Sequence, residues 1–194
     1  ESLPGYVAPI IRTDAEAAAG LRVDLAMFGL IPSWSKDRSI GRRTYNARTE
    51  TVAEKPSYRT AWRQRQFCLV PVERFFEPCW ETGKAVQWSI HRQDGEPFTV
   101  AGIWDRWTEW ATGEIVVSFS MLTINADGHP IMGRFHRPGD ERRSLVVVPP
   151  SRWTDWLSAT ADTVRAMLAE MPVAEFTSES VMGLSSTPAQ ASFL

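Results

Sequence analysis

Residues 85–107 read AVQWSIHRQDGEPFTVAGIWDRW. Strand-like apolar patterns flank Gln93-Asp94-Gly95, a strong turn signal, so this stretch predicts two β-strands joined as a hairpin. The same grammar continues on both sides. Upstream, residues 67–77 (FCLVPVERFFE) read as a buried strand entering a turn at Pro78, and residues 21–32 (LRVDLAMFGLIP) alternate and then run apolar, as a strand does, until Pro32 ends it. Downstream, residues 111–125 (ATGEIVVSFSMLTIN) give another strand after a turn at Thr112-Gly113. Residues 144–150 (SLVVVPP) give a short buried strand, and residues 171–181 (MPVAEFTSESV) a last one. Between these lie a polar connection at residues 14–20 and a charged loop at residues 33–44. A short amphipathic helix is expected at residues 58–66, a helix opened by Pro150-Ser151 with Ser151 as its N-cap, and a further helical turn or two within residues 161–170. Short strands with a few helices predict an α+β fold: a curved, mainly antiparallel sheet or barrel-like core with flanking helices, and the Trp104 strand in its interior.

At 194 residues the chain is long enough for one domain with a real core, and no repeat or low-complexity linker divides it, so residues 1–194 are expected to form a single domain. Hydrophobic residues at 43% and charged residues at 23% fit a globular protein. Nine Trp and nine Phe suit a dense core, a stacking surface for bases, or both. The net charge of −2 argues against a uniformly basic nucleic-acid binder, but the charge is unevenly spread. Residues 36–65 carry nine basic side chains against three acids, a net +6, whereas residues 151–194 carry a net −3. A positive stretch in a nearly neutral protein is compatible with a polyanion groove, and equally with a solvated basic face. Two cysteines, Cys68 and Cys79, make neither a disulfide framework nor a zinc site. Cys68 sits in an apolar run and reads as core. No leader peptide and no apolar run of membrane-spanning length is found, so a cytoplasmic, monomeric protein without membrane contact is expected.

Three polar residues adjoin apolar or aromatic segments: Asn46 in TYNARTET, Glu77 after Phe75-Phe76, and His136 after Phe135 in GRFHRPGDERR. A Glu at the end of an aromatic strand is desolvated towards the range useful for proton transfer, a His exchanges protons near neutrality, and an Asn orients a nucleophile with its fixed donor and acceptor. The same residues also read as a capping Asn, a rim Glu and a loop His. His91 reads as a surface residue and His129 as a loop residue. No spacing of His, Cys and Asp suggests a metal, and there is neither a glycine-rich phosphate loop nor a nucleophile elbow, so no cofactor is expected.

Taken in order, FGLIPSW (Phe28 to Trp34), NARTET (Asn46 to Thr51), FCLVP followed by Phe75-Phe76-Glu77, AGIWDRW (Ala101 to Trp107), LTINA (Leu122 to Ala126) and His136 resemble the motif series of the SOS response-associated peptidase (SRAP) family. Each motif alone is weak; six in order are specific, and they span about residues 22–157. The resemblance implies a DNA-damage protein that binds single-stranded DNA and captures abasic sites. In the family, a Cys exposed by removal of the leading Met closes a thiazolidine ring with the sugar aldehyde. It implies that Asn46 orients the cysteine amine, that Glu77 is the acid/base in sugar ring opening, and that His136 assists the Schiff-base step. It further implies that Arg48 grips a phosphate and that Phe28, Gly29, Trp34 and Thr123 line the strand's channel. The sequence departs from the pattern in four places. The opening Met-Cys-Gly-Arg is absent, so this polypeptide is expected to lack the nucleophile. Phe28 stands where Trp is usual, Pro78 follows Glu77 where Trp is common, and residues 137–143 read as an insertion after His136. A DNA-binding module without chemistry, and a cysteine hydrolase using Cys68 or Cys79, are the competing readings.

Overall fold

The computed structural model describes residues 4–181. The chain forms β1 (Val7–Thr13), β2 (Leu21–Phe28), β3 (Asn46–Arg48), the helix α1 (Arg59–Arg63), β4 (Phe67–Val72), β5 (Arg74–Cys79), β6 (Val86–Arg92), β7 (Phe98–Thr108), β8 (Ile115–Asn125) and β9 (Arg143–Leu145). Helices α2 (Trp153–Leu157) and α3 (Ala161–Val164) and strand β10 (Phe176–Ser180) follow. One sheet runs β2-β1-β4-β7-β8-β3, with β9 also on β8, and closes into a barrel because β2 returns to pair with β8 in parallel. The other is a three-stranded sheet in the order β10-β6-β5. The expected α+β architecture on a curved, largely antiparallel, barrel-like core is therefore what the chain adopts; the parallel pairings are β2 and β3 on β8.

β7 lies between β4 and β8, which explains its sequence: FTVAGI is buried on both faces, so it reads as a continuous apolar run rather than an alternating one. Buried side chains among the described residues form two clusters. The first joins the two sheets, with Val70, Phe98 and Phe119 from the barrel meeting Phe75, Ile90 and Phe176. The second seats Trp62 of α1 and Trp156 of α2 against Phe67, Leu69 and Ile103. The Trp156 indole N–H donates to the Cys68 carbonyl (2.9 Å), so this large side chain is buried without an orphaned donor.

Three expectations need correction. The turn at residues 93–95 forms, with Gly95 at φ +75° and its N–H donated to the Arg92 carbonyl, but the flanking strands do not pair with each other. β6 goes to β5 and β10, and β7 goes to β4 and β8. Glu96 and Pro97 carry the chain from one sheet to the other, and Pro97 has no N–H with which to extend a ladder. The FCLVPVERFFE segment is likewise two strands, leaving the barrel at Glu73 and entering the second sheet; Pro78 lies inside β5, opposite Gln87. Finally, Ser151 is no N-cap: it sits inside a 3-10 turn (Pro150–Arg152) whose first residue follows Pro149. The side-chain cap belongs to Thr160, which forms a reciprocal capping box with Thr163 on α3. The loop at residues 33–44 also holds a 3-10 turn, Arg38–Arg43, with the Asp37 carboxylate accepting from the Ser39 N–H. The expected helix at residues 58–66 is shorter, Arg59–Arg63, inside hydrogen-bonded turns.

Gly29 fixes how β2 reaches the barrel seam. Its φ is +110°, and a Cβ there would lie 2.2 Å from the Gly41 carbonyl oxygen, which is backbone and cannot swing away. Its N–H donates to the Phe119 carbonyl (2.9 Å) just beyond the parallel pair Phe28 with Phe119. Gly29→Ala should therefore cost about 1–3 kcal/mol from backbone strain and clash together, read as a lowered midpoint in chemical denaturation; an unchanged midpoint would mean the 29–41 crossing is not close-packed.

Candidate functional site

The parallel pairing of β3 with β8 sets Arg48 opposite Thr123, and β9 adds Arg143 to Leu145 antiparallel to the end of β8. The seam between sheets comes close here. β5 carries Glu77 in register with Trp88 on one edge, and its other edge receives the 135–136 segment through a bridge between Cys79 and Phe135. The result is a cleft of about 190 Å³ lined by Asn46, Arg48, Glu77, Thr123, His136, Arg143, Ser144 and Leu145. Asn46, Glu77 and His136, distant in sequence, thus share one cleft with Arg48 and Thr123.

Each side chain is held differently. Asn46 follows Tyr45, and its carbonyl accepts the Tyr58 hydroxyl (3.0 Å), tying β3 to the start of α1. His136 has φ +73°, a left-handed conformation unusual for a residue with a side chain. Its N–H donates to the Pro78 carbonyl (3.2 Å), so backbone strain and a cross-strand hydrogen bond together aim the ring. His136 Nε2 lies 3.8 Å from Glu77 Oε2. Burial pushes Glu77 up to about 7, and burial also lowers His136 from its ordinary value. The two shifts favour a proton on Glu77 and a neutral imidazole near neutral pH. That arrangement places one transferable proton between an acid poised to give it and a base able to relay it.

Two arginines of unlike character line the same cleft. Arg143, with an 11% exposed side chain, is clamped by Glu50 (2.8 Å) and Glu141 (2.6 Å) and donates to the Thr123 carbonyl (2.6 Å). Partial burial would raise Glu50, but hydrogen bonds from Arg143 and from the backbone hold it down to about 2. Arg48, with a 57% exposed side chain, pairs only with Glu141 among the described residues. Arg143 is a largely buried cation held by two carboxylates, and Arg48 an exposed one held by a single carboxylate. Sequence reading named Arg48 and missed Arg143, taking it for part of an inserted loop; the signal available was that RSLVVV begins an apolar strand.

The remaining site candidates do not line the cleft. The Phe28 ring is 4% exposed, stacked on Phe119 at 5.1 Å and edge-on to Tyr45 at 5.8 Å, so it supports Tyr45 rather than presenting a face of its own. Gly29 is the backbone crossing described above. Trp34 is 56% exposed, its indole N–H donated to the Pro56 carbonyl (3.2 Å), which leaves a ring face open for stacking. His129, expected in a loop, is buried. Its Nδ1 accepts the N–H groups of Ile131 and Met132, so Nε2 carries the proton given to the Met171 carbonyl. This braces the segment leading to His136. Cys68 and Cys79 are both buried outside the cleft, and burial pushes the Cys68 thiol far up, which removes the thiolate a cysteine hydrolase needs. Among the described residues no group of three His, Cys, Asp or Glu could hold a metal, and no helix is long and apolar enough to cross a membrane.

The family model for SOS response associated peptidase (SRAP) matches residues 1–184. The chain belongs to this family. SRAP relatives include the abasic site processing protein YoqW of Bacillus subtilis, 29% identical over 161 residues, covering 80% of this chain and 67% of that one. The abasic site processing protein HMCES of Gallus gallus is 24% identical over 137 residues, 60% of this chain and 40% of that one. A crystal structure of a protein from Bordetella bronchiseptica superposes with a TM-score of 0.83 at 34% identity, covering 92% of this chain and 85% of that one.

Proposed function

We propose that this SRAP protein captures abasic sites in single-stranded DNA at the Glu77–His136 cleft. The observation that carries the reading is the convergence of Asn46, Glu77 and His136 with two arginines in one cleft of an SRAP chain. Arg48 and Arg143 hold the phosphates flanking the abasic sugar, the DNA taking Arg48 from Glu141, and the exposed Trp34 stacks a neighbouring base. The sugar opens to its aldehyde as Glu77 and His136 move the proton between ring oxygen and hydroxyl. A terminal Cys, oriented by the Asn46 amide, then attacks through its amine. Glu77 donates a proton as the carbinolamine hydroxyl leaves as water, and the thiol adds to the imine carbon, its proton passing to nitrogen, to close a thiazolidine. The self-cleavage of a leading Met that the family name suggests would expose that Cys.

The path of the amino end supports a nucleophile from that side. The Gly5 N–H donates to the Phe28 carbonyl, and the Phe28 ring abuts Tyr45, the neighbour of Asn46. Gly5 is thus tied to the end of β2 whose Phe28 ring backs Tyr45, next to the cleft residue Asn46. The simplest test is binding. Arg48→Ala should weaken undamaged single-stranded DNA several-fold and flatten the dependence of log K on log salt by about 0.7, the contribution of one phosphate on a single strand. Wild-type affinity with a wild-type salt slope would remove Arg48 from the DNA contact.

A further inference from the structure

Of the basic residues in the 36–65 stretch, only Arg48 lines the abasic cleft. The turn after β3, where the Val52 N–H donates to the Arg48 carbonyl, leads to a separate cleft of about 510 Å³ between α1 and α3. Its lining includes Ala53, Trp62, Arg63, Arg65, Asp162 and Arg165. Three arginines and one aspartate thus line one cleft, and no ion pair engages any of the three arginines among the described residues. Arg12, Arg22, Arg38, Arg92, Arg134 and Arg143 have carboxylate partners, whereas Arg42, Arg43, Arg59, Arg74, Arg106 and Arg137 share with these three the lack of an ion pair among the described residues; what sets the three apart is that they line one cleft. The floor is firm: Trp62 is buried and packs edge-on against Phe67 at 5.4 Å.

Arg65 supplies a second, independent observation. It has φ +55°. Its N–H donates to the Trp62 carbonyl (3.1 Å) and the next N–H, of Gln66, reaches back to the Ala61 carbonyl (3.0 Å). This is the helix-ending motif in which the left-handed residue is ordinarily glycine. An arginine there sacrifices backbone stability and sets a cation on the cleft wall, in a place where the fold itself would be better served by no side chain.

We propose that the α1–α3 cleft is a second phosphodiester site, which grips single-stranded nucleic acid beyond the abasic cleft. The chain that carries Arg48 leads through this turn to Ala53 on the cleft's lining, and in this proposal one DNA strand held at Arg48 continues onto Arg63, Arg65 and Arg165. The inference rests on the DNA reading above and extends it along the strand. Phosphate oxygens are the matching chemistry for three arginines without ion pairs around one open cleft.

The experiment compares fluorescein-labelled oligothymidylates of about 6 and about 24 nucleotides across a salt series, with wild type, Arg48→Ala, Arg65→Gly and the triple variant Arg63→Gln, Arg65→Gly, Arg165→Gln. The triple variant should bind the long strand roughly tenfold more weakly and show a salt slope shallower by about 1.4–2, while binding the short strand as wild type does. Arg65→Gly removes a charge and relieves the backbone, so it should raise the melting temperature while weakening the long strand about two- to threefold. That pairing of gained stability with lost binding is not produced by damage to the fold, and it decides the matter if the triple variant folds poorly. Long-strand affinity and slope unchanged in Arg65→Gly and in a folded triple variant would overturn the proposal. Failure of the abasic-cleft reading looks different: the short strand would then ignore Arg48→Ala while the long strand still responded to the triple variant, and the second cleft would stand alone as the nucleic-acid site.

Discussion

A chain whose terminal residue is Cys should form a stable adduct with an abasic single strand, and the polypeptide that starts at Glu1 should form none. Thiazolidine closure needs an amine and a thiol on the same residue, so that the imine made by one is trapped by the other. Glu1 offers an amine without a thiol. Cys68 and Cys79 offer thiols without an amine, and both are buried away from the cleft. A lysine or the terminal amine would form at most an imine, which hydrolyses on denaturation. Glu1→Cys tests the point with the smallest change. Two residues, Ser2 and Leu3, then separate the terminal residue from Pro4, a reach of about 10 Å when extended, so versions lengthened by one or two residues after the Cys form part of the same series. The readout is a shifted band on a denaturing gel without reductant. At least one chain of the series should convert most of an abasic oligonucleotide, and the Glu1 chain none. A stable band from the Glu1 chain would mean that another nucleophile acts, and loss of that band on replacing Cys68 or Cys79 would name it. No band at any length, in chains that still bind the DNA, would remove the terminal-thiol mechanism.

Much of this was legible in the residues, and the failures have identifiable physical causes. The central strand β7 could be read because a strand buried on both faces prints as an unbroken apolar run. The first strand could not: Pro9 interrupts VAPIIRT, and proline ordinarily demotes a strand. Here β4 pairs with β1 only at Ile11 and Arg12, so Pro9 has no ladder to break on that side. The hairpin at residues 93–95 failed for a related reason. A local turn signal predicts a reversal of direction, but which strand lies alongside is decided by packing between segments far apart in sequence. Asn46, Glu77 and His136 were found by type and motif order, yet their meeting depends on the closed seam and on the bridge between Cys79 and Phe135, neither of which is written in any local pattern. Arg143 was hidden because its role comes from Glu50 and Glu141, partners visible only once β9 is laid against β8.

Glu77→Gln should make the protein more stable above neutral pH and, in a Cys-terminated chain that crosslinks, far slower. Burial raises the folded-state pKa of Glu77 to about 7 from an ordinary 4.5. Between those values the folded protein holds a proton that the unfolded chain has released, so stability falls as pH rises through this window and is lowest above it. At 27% exposure the side chain keeps some contact with water, which trims the penalty to roughly 2–3 kcal/mol above pH 8. Glutamine cannot ionise and escapes that penalty. Denaturation midpoints of wild type and Glu77→Gln should therefore nearly coincide at about pH 4.5 and separate progressively towards pH 8, with the variant the more stable. The same substitution removes the proton that Glu77 would give to the departing hydroxyl and to the opening sugar ring. Loss of a positioned general acid costs about 10²–10³ in rate, which single-turnover adduct formation would report. His136 stays neutral in both proteins near pH 7, since burial lowers its pKa, so the comparison isolates the carboxyl group. The rate of the parent Cys-terminated chain should also decline above pH 7 as Glu77 ionises. A variant that is no more stable at pH 8 would show that Glu77 is better solvated than its place in the cleft implies. A variant that forms the adduct at the parental rate would show that the carboxyl group is a bystander, leaving His136 to carry the proton alone.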